Sequence, residues 1–187
     1  MKTLKESILN RSSHGAKGFE TQIKEMIEKW LKEYDIENYT INDDFTIDVN
    51  GNVNLFRRNL KELPDCIQFG VVRGNFVCTD NNLISLRGCP REVGKSFYCE
   101  KNKLTSLKGA PKKVGGDFDC TYNKLTSLEG SPKEVGWTFD CRYNRLTSLE
   151  GAPKEVEGYF DCSNNFILFS VDDAKKVCRV KRTIIVK

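Results

Sequence analysis

A chain that spells the same phrase every 21 residues can close a core only by stacking one copy on the next, and this chain does so from Phe76 to Asn165. Phe76, Phe97, Phe118, Phe139 and Phe160 each open the pattern F-x-C-x-x-N, and the first four copies continue as x-L-x-S-L-x-G-x-P-x-x-V. The period puts Cys78, Cys99, Cys120, Cys141 and Cys162 in one column and Asn81, Asn102, Asn123, Asn144 and Asn165 in another. Leu83, Leu86, Pro90 and Val93 recur at the same phase through Leu146, Leu149, Pro153 and Val156. The expected architecture is a solenoid.

Within one period, Phe-x-Cys alternates as a strand of about three residues would, with Phe and Cys facing in and their neighbours facing out. Asn at the following corner can satisfy backbone groups of the adjacent turn, so stacked Asn residues predict a buried hydrogen-bonding ladder rather than a site. The Leu pair, the Pro bend and the Val fill the rest of the interior. That makes about five buried apolar side chains per turn, each stabilising by roughly 1.5–3 kcal/mol.

The ends depart from the period. Val53 to Phe76 repeats the theme imperfectly, as terminal repeats do. Lys17 to Tyr34 puts Phe19, Ile23, Met26, Ile27, Trp30 and Leu31 on one helical stripe. That stripe is expected to cover the open end of the solenoid; a helix that docks a partner is the other reading. Tyr39–Ile41 and Phe45–Val49 alternate as strands, Ser170 is placed to cap a short helix, and Thr183–Val186 reads as a last strand. The division expected is a mobile arm over 1–16, a helix and strand cap over 17–52, the solenoid over 53–169 and a C-terminal cap over 170–187. Within the solenoid, 53–75 is a degenerate first coil and the regular coils run from 76.

The Phe, Cys, Asn and Leu positions resemble the L-x-x-L-x-L-x-x-N-x-L core of leucine-rich repeats of the short, 21-residue type. The resemblance implies an α/β repeat solenoid with short parallel strands on a concave face. The wording L-T-S-L-x-G-x-P-K-x-V-G further resembles repeat proteins encoded by tailed bacteriophages and gut bacteria. It implies a phage-encoded protein working in the host cytoplasm, such as an inhibitor of a host defence protein (an anti-CRISPR). Related effectors with ligase activity carry it in a separate domain, and the stretch after Val171 is short.

Composition bounds the function classes. With 30% charged and 39% hydrophobic residues the chain reads as globular, and no apolar run suits a membrane span or a secretory leader, so a cytoplasmic location is expected. The eight cysteines contain no C-x-x-C pair, and five share one inward column, which favours buried free thiols over disulfides or zinc. His14 stands alone without a placed carboxylate or nucleophile. No phosphate loop, triad or metal motif appears, so neither an enzyme, a metal nor a cofactor is expected.

Function is then left to the outward columns. Between Phe and Cys stand Val77, Tyr98, Asp119, Asp140 and Asp161; before Phe stand Asp117 and Tyr159; after Cys come Thr79, Glu100, Thr121 and Arg142, then Tyr122 and Tyr143. Stacked like charges repel, so the Asp column calls for an offset, which Arg142 is placed to supply. Otherwise Asp117, Asp119, Asp140 and Asp161, with Tyr98, Tyr122, Tyr143, Tyr159 and Arg142, form an acidic and aromatic face for a basic segment of a protein partner. The alternatives are nucleic-acid binding and a purely structural role. The nucleic-acid reading uses Lys175, Lys176, Arg179, Lys181 and Arg182 of the C-terminal cap, with the column Lys103, Lys124 and Arg145.

Overall fold

A computed structural model describes the backbone from residue 13 and side chains from residue 18 to the end of the chain. Helix α1 spans Ser13–Glu33, so the last residues of the expected arm are helical, and residues 1–12 lie outside the described residues. A hairpin of β1 (Tyr39–Ile41) and β2 (Ile47–Val49) pairs antiparallel. From β2 onward the chain winds as a parallel β-solenoid of seven turns, each contributing one strand to each of two sheets.

One sheet is built from the Phe-x-Cys segments: β3 (Val53–Asn54), β5 (Phe76–Val77), β7 (Phe97–Tyr98), β9 (Phe118–Asp119), β11 (Phe139–Asp140), β13 (Phe160–Asp161) and β15 (Ile184–Ile185). The other is built from β2, β4 (Phe69–Val72), β6 (Glu92–Val93), β8 (Lys113–Val114), β10 (Glu134–Val135), β12 (Glu155–Val156) and β14 (Arg179–Val180), with β1 at its edge. The α/β class is therefore corrected: the repeats are β throughout. The segment after each Pro becomes a strand because its neighbours one turn away offer it hydrogen bonds, such as Gly115 N to Val93 O at 2.9 Å and Gly136 N to Val114 O at 2.9 Å. A two-residue strand with one inward Val carries no alternation to read in sequence. Helix α2 (Val171–Val177) replaces the Leu-Pro connection in the last turn; Ser170 caps it as expected, and the structure adds a capping box with Asp173.

The interior follows the columns. Phe76, Phe97, Phe118 and Phe139 stack nearly parallel with centroids 5.3–5.4 Å apart, and Phe160 turns edge-on to close the row. The Asn ladder is satisfied on every edge. Asn123 Nδ2 donates to Cys99 O (3.0 Å), Cys120 O (3.1 Å) and Thr121 O (3.2 Å), while its Oδ1 accepts from Leu104 N at 2.9 Å. Each Asn thus ties two turns. A Cβ on Gly136 would collide with the carbonyl of Gly115, and one on Gly115 with that of Gly94, which accounts for glycine at these two corners. On α1, Ile23, Ile27 and Leu31 are fully buried and Trp30 meets Phe69 edge-on at 6.3 Å, whereas Met26, expected on the same stripe, is exposed.

Candidate functional site

The outer face of the Phe sheet carries the acidic column in register: Tyr98 pairs with Asp119, Asp119 with Asp140, and Asp140 with Asp161. Neighbouring strands lie about 4.8 Å apart, so three carboxylates in one line need compensation. Arg142 supplies it for two of them, its guanidinium reaching Asp140 Oδ2 at 2.7 Å and Asp161 Oδ2 at 3.3 Å. These carboxylates hold the Arg142 guanidinium firmly in its charged form, the hydrogen bond to Asp140 first among the causes. Asp140 and Asp161, expected to face solvent, are consequently buried, because the Arg142 side chain lies over them. Each also accepts from the backbone two residues on, Asp140 from Arg142 N at 3.1 Å and Asp161 from Ser163 N at 3.0 Å, so part of their role is to shape the strand exit.

One turn away the arrangement differs. Asp119 accepts from Thr121 N at 2.8 Å but forms no ion pair among the described residues, and neither does Glu100 on the turn before it. Burial pushes the Asp119 carboxyl up to about 6, with Glu100 and Asp140 adding to the rise and hydrogen bonds from Thr121 opposing it. Glu100 Oε2 and Thr79 Oγ1 are both sealed from solvent with no hydrogen-bond partner among the described residues. They stand on successive turns of one column, as the bonds from Arg57 N to Thr79 O and from Asp80 N to Glu100 O show. Glu100 was not among the expected site residues. Its signal was the column Thr79, Glu100, Thr121, Arg142, in which the acid precedes the only cation.

The aromatic residues divide. Tyr122 and Tyr143 are exposed and stack at 4.4 Å. Both sit at φ of 53° and 54°, a left-handed conformation that non-glycine side chains rarely adopt. Tyr98 is half-buried beside Glu100, and Tyr159 meets Trp137 edge-on at 6.3 Å under Arg182, whose guanidinium lies 4.2 Å from the Trp137 ring. Asp117 belongs to a different device. It accepts from Thr138 N at 2.9 Å, as Asn75 accepts from Ser96 N at 3.0 Å, and these side chains tie successive turns ahead of the Phe strands.

The C-terminal cations are mostly occupied at home. Lys176 pairs with Asp173 at 3.2 Å, Lys181 with Glu157 at 2.6 Å and Glu155 at 3.7 Å, and Arg179 with Glu155 at 3.9 Å. All eight cysteines are free and the five of the inward column are buried; burial raises the thiols of Cys99, Cys120, Cys141 and Cys162, and a hydrogen bond with Cys89 followed by burial raises that of Cys78. Among the described residues no group of three or more His, Cys, Asp or Glu is arranged to hold a metal, and no helix is long and apolar enough to cross a membrane. Comparison with protein-family models, with curated proteins and with solved structures gives no match in any of the three.

Proposed function

We propose that the outer face of the Phe sheet is a protein-binding surface that receives a basic segment of its partner, without enzymatic chemistry. The observation that carries this reading is the asymmetry of the acidic column. Arg142 neutralises Asp140 and Asp161 from within the chain, while Glu100 and Asp119 present a second acidic pair with no internal cation among the described residues. A lysine or arginine from a partner would do for Glu100 and Asp119 what Arg142 does for its own pair, with Tyr98 and the stacked Tyr122 and Tyr143 as aromatic anchors. Under this reading Asp140, Asp161 and Arg142 preorganise the surface, and α1 and the C-terminal segment close the ends of a leucine-rich-repeat-like solenoid.

The likeness of the repeat wording to proteins of tailed bacteriophages extends the proposal to purpose: an inhibitor that occupies a host defence protein in the cytoplasm. The test is affinity capture from host lysate with the wild type and with Glu100→Lys/Asp119→Lys, followed by titration of the captured protein. Loss of affinity by tenfold or more in the double variant, with Lys175→Gln/Lys181→Gln unaffected, supports the reading. Equal affinity of the double variant and the wild type for that protein overturns it. Nucleic-acid binding through the C-terminal cations is disfavoured by their ion pairs to Asp173, Glu155 and Glu157.

A further inference from the structure

A second charged feature lies on the connection that carries each turn from its Phe strand to its Val strand. The residue after Pro is Arg91, Lys112, Lys133 and Lys154 on four consecutive turns, and all four are exposed. Their own backbones stack them: Lys112 N donates to Arg91 O at 2.8 Å, Lys133 N to Lys112 O at 2.9 Å and Lys154 N to Lys133 O at 2.9 Å. At strand spacing the four charges run along about 14 Å. None of them has a carboxylate within ion-pair distance among the described residues. In the neighbouring column Glu134 is taken by Lys113 at 3.5 Å and Glu155 by Lys181 at 3.7 Å, leaving Glu92 as the acid of that column with no ion pair among the described residues.

The first turns of this face are the most basic. A cavity of about 510 Å³ is lined there by Arg87, Arg91, Lys108 and Lys112, with the turn glycines Gly88 and Gly109, and contains no carboxylate. Arg87 is held by Asp65 at 2.6 Å; the other three cations are unpaired among the described residues. Lys103, Lys124 and Arg145, exposed just beyond the Asn corner, border the same connection at its other end. Glu129 and Glu150 occupy the Lys108 position on later turns, so the positive field is strongest toward the first repeats.

We infer that this face binds the phosphate backbone of duplex nucleic acid. A compact anion would use the cavity alone, whereas a row of unpaired cations at fixed intervals suits a polyanion whose charges repeat along a line. Residues 103–112, 124–133 and 145–154 contain no aromatic side chain on which an unpaired base could stack, so the contacts are to the backbone and independent of base sequence. The inference goes beyond the protein-binding reading and uses none of its residues.

The probe is a fluorescent 20-base-pair DNA duplex of mixed sequence titrated with the full chain and read by anisotropy. Four phosphate contacts give a slope of log K against log salt of about −3.6, a loss of about 150-fold between 50 and 200 mM salt. Arg91→Gln/Lys112→Gln/Lys133→Gln/Lys154→Gln should abolish measurable binding at 50 mM salt, and the single change Lys133→Gln, at an exposed side chain, should make the slope shallower by about 0.9. Glu100→Gln/Asp119→Asn should leave duplex binding intact, which separates this surface from the acidic one. The inference is overturned by no binding at 20 mM salt, by a quadruple variant that binds as the wild type does, or by tighter binding of a single strand of the same length.

Discussion

Asp119→Asn should make the free protein more stable while removing one of the charges proposed to hold a partner. The carboxyl is half-buried in a row with Glu100 and Asp140, and burial first, then those two charges, lifts it to about 6. Arg142 faces it as well but is committed to Asp140 and Asp161. In the unfolded chain the same group titrates near about 3.9. Folding therefore raises its affinity for a proton, so the ionised form opposes folding above pH 6, and that opposition disappears as the pH falls toward about 4. The separation corresponds to about 3 kcal/mol for a fully desolvated group, and partial exposure trims it to about 1–2 kcal/mol. The amide retains an oxygen for the Thr121 N–H, now 2.8 Å away, so no backbone group is orphaned. Thermal unfolding followed by circular dichroism should place the variant about 2–8 °C above the wild type at pH 7.5 and level with it near pH 4. A variant no more stable than the wild type at pH 7.5, or an equal gain at both pH values, would refute the account of Asp119 as a strained carboxylate.

Arg142→Ala strands Asp140 and Asp161 without their cation and should cost about 2–4 kcal/mol in urea unfolding, part of which Asp140→Asn recovers in the double variant. Asn123→Leu leaves the carbonyls of Cys99, Cys120 and Thr121 short of a donor and Leu104 N short of an acceptor; the expected loss is about 3–5 kcal/mol, with the denaturant slope unchanged. Thiol titration with an aromatic disulfide at pH 8 should find the buried column unreactive in the native state, the half-buried Cys66 the most accessible of the eight, and all eight reactive after denaturation.

The solenoid, its inward Phe, Cys, Leu and Val columns and its Asn ladder were legible from the sequence alone, because a residue repeated at one phase must meet its own copy on the adjacent turn. The same logic exposed the Asp column and pointed to Arg142 as its partner. The second sheet was not legible: Glu92–Val93 and its copies become strands only through hydrogen bonds to neighbouring turns, and one inward Val per strand has no period. Nor could spacing show that Asp117 spends its side chain on Thr138 N, or that Met26 falls outside the buried stripe of α1. Which carboxylates Arg142 reaches was decided in three dimensions. A repeat fixes what stacks on what, but side-chain reach and burial determine that Asp140 and Asp161 share one guanidinium while Glu100 and Asp119, on the preceding turns, share none among the described residues.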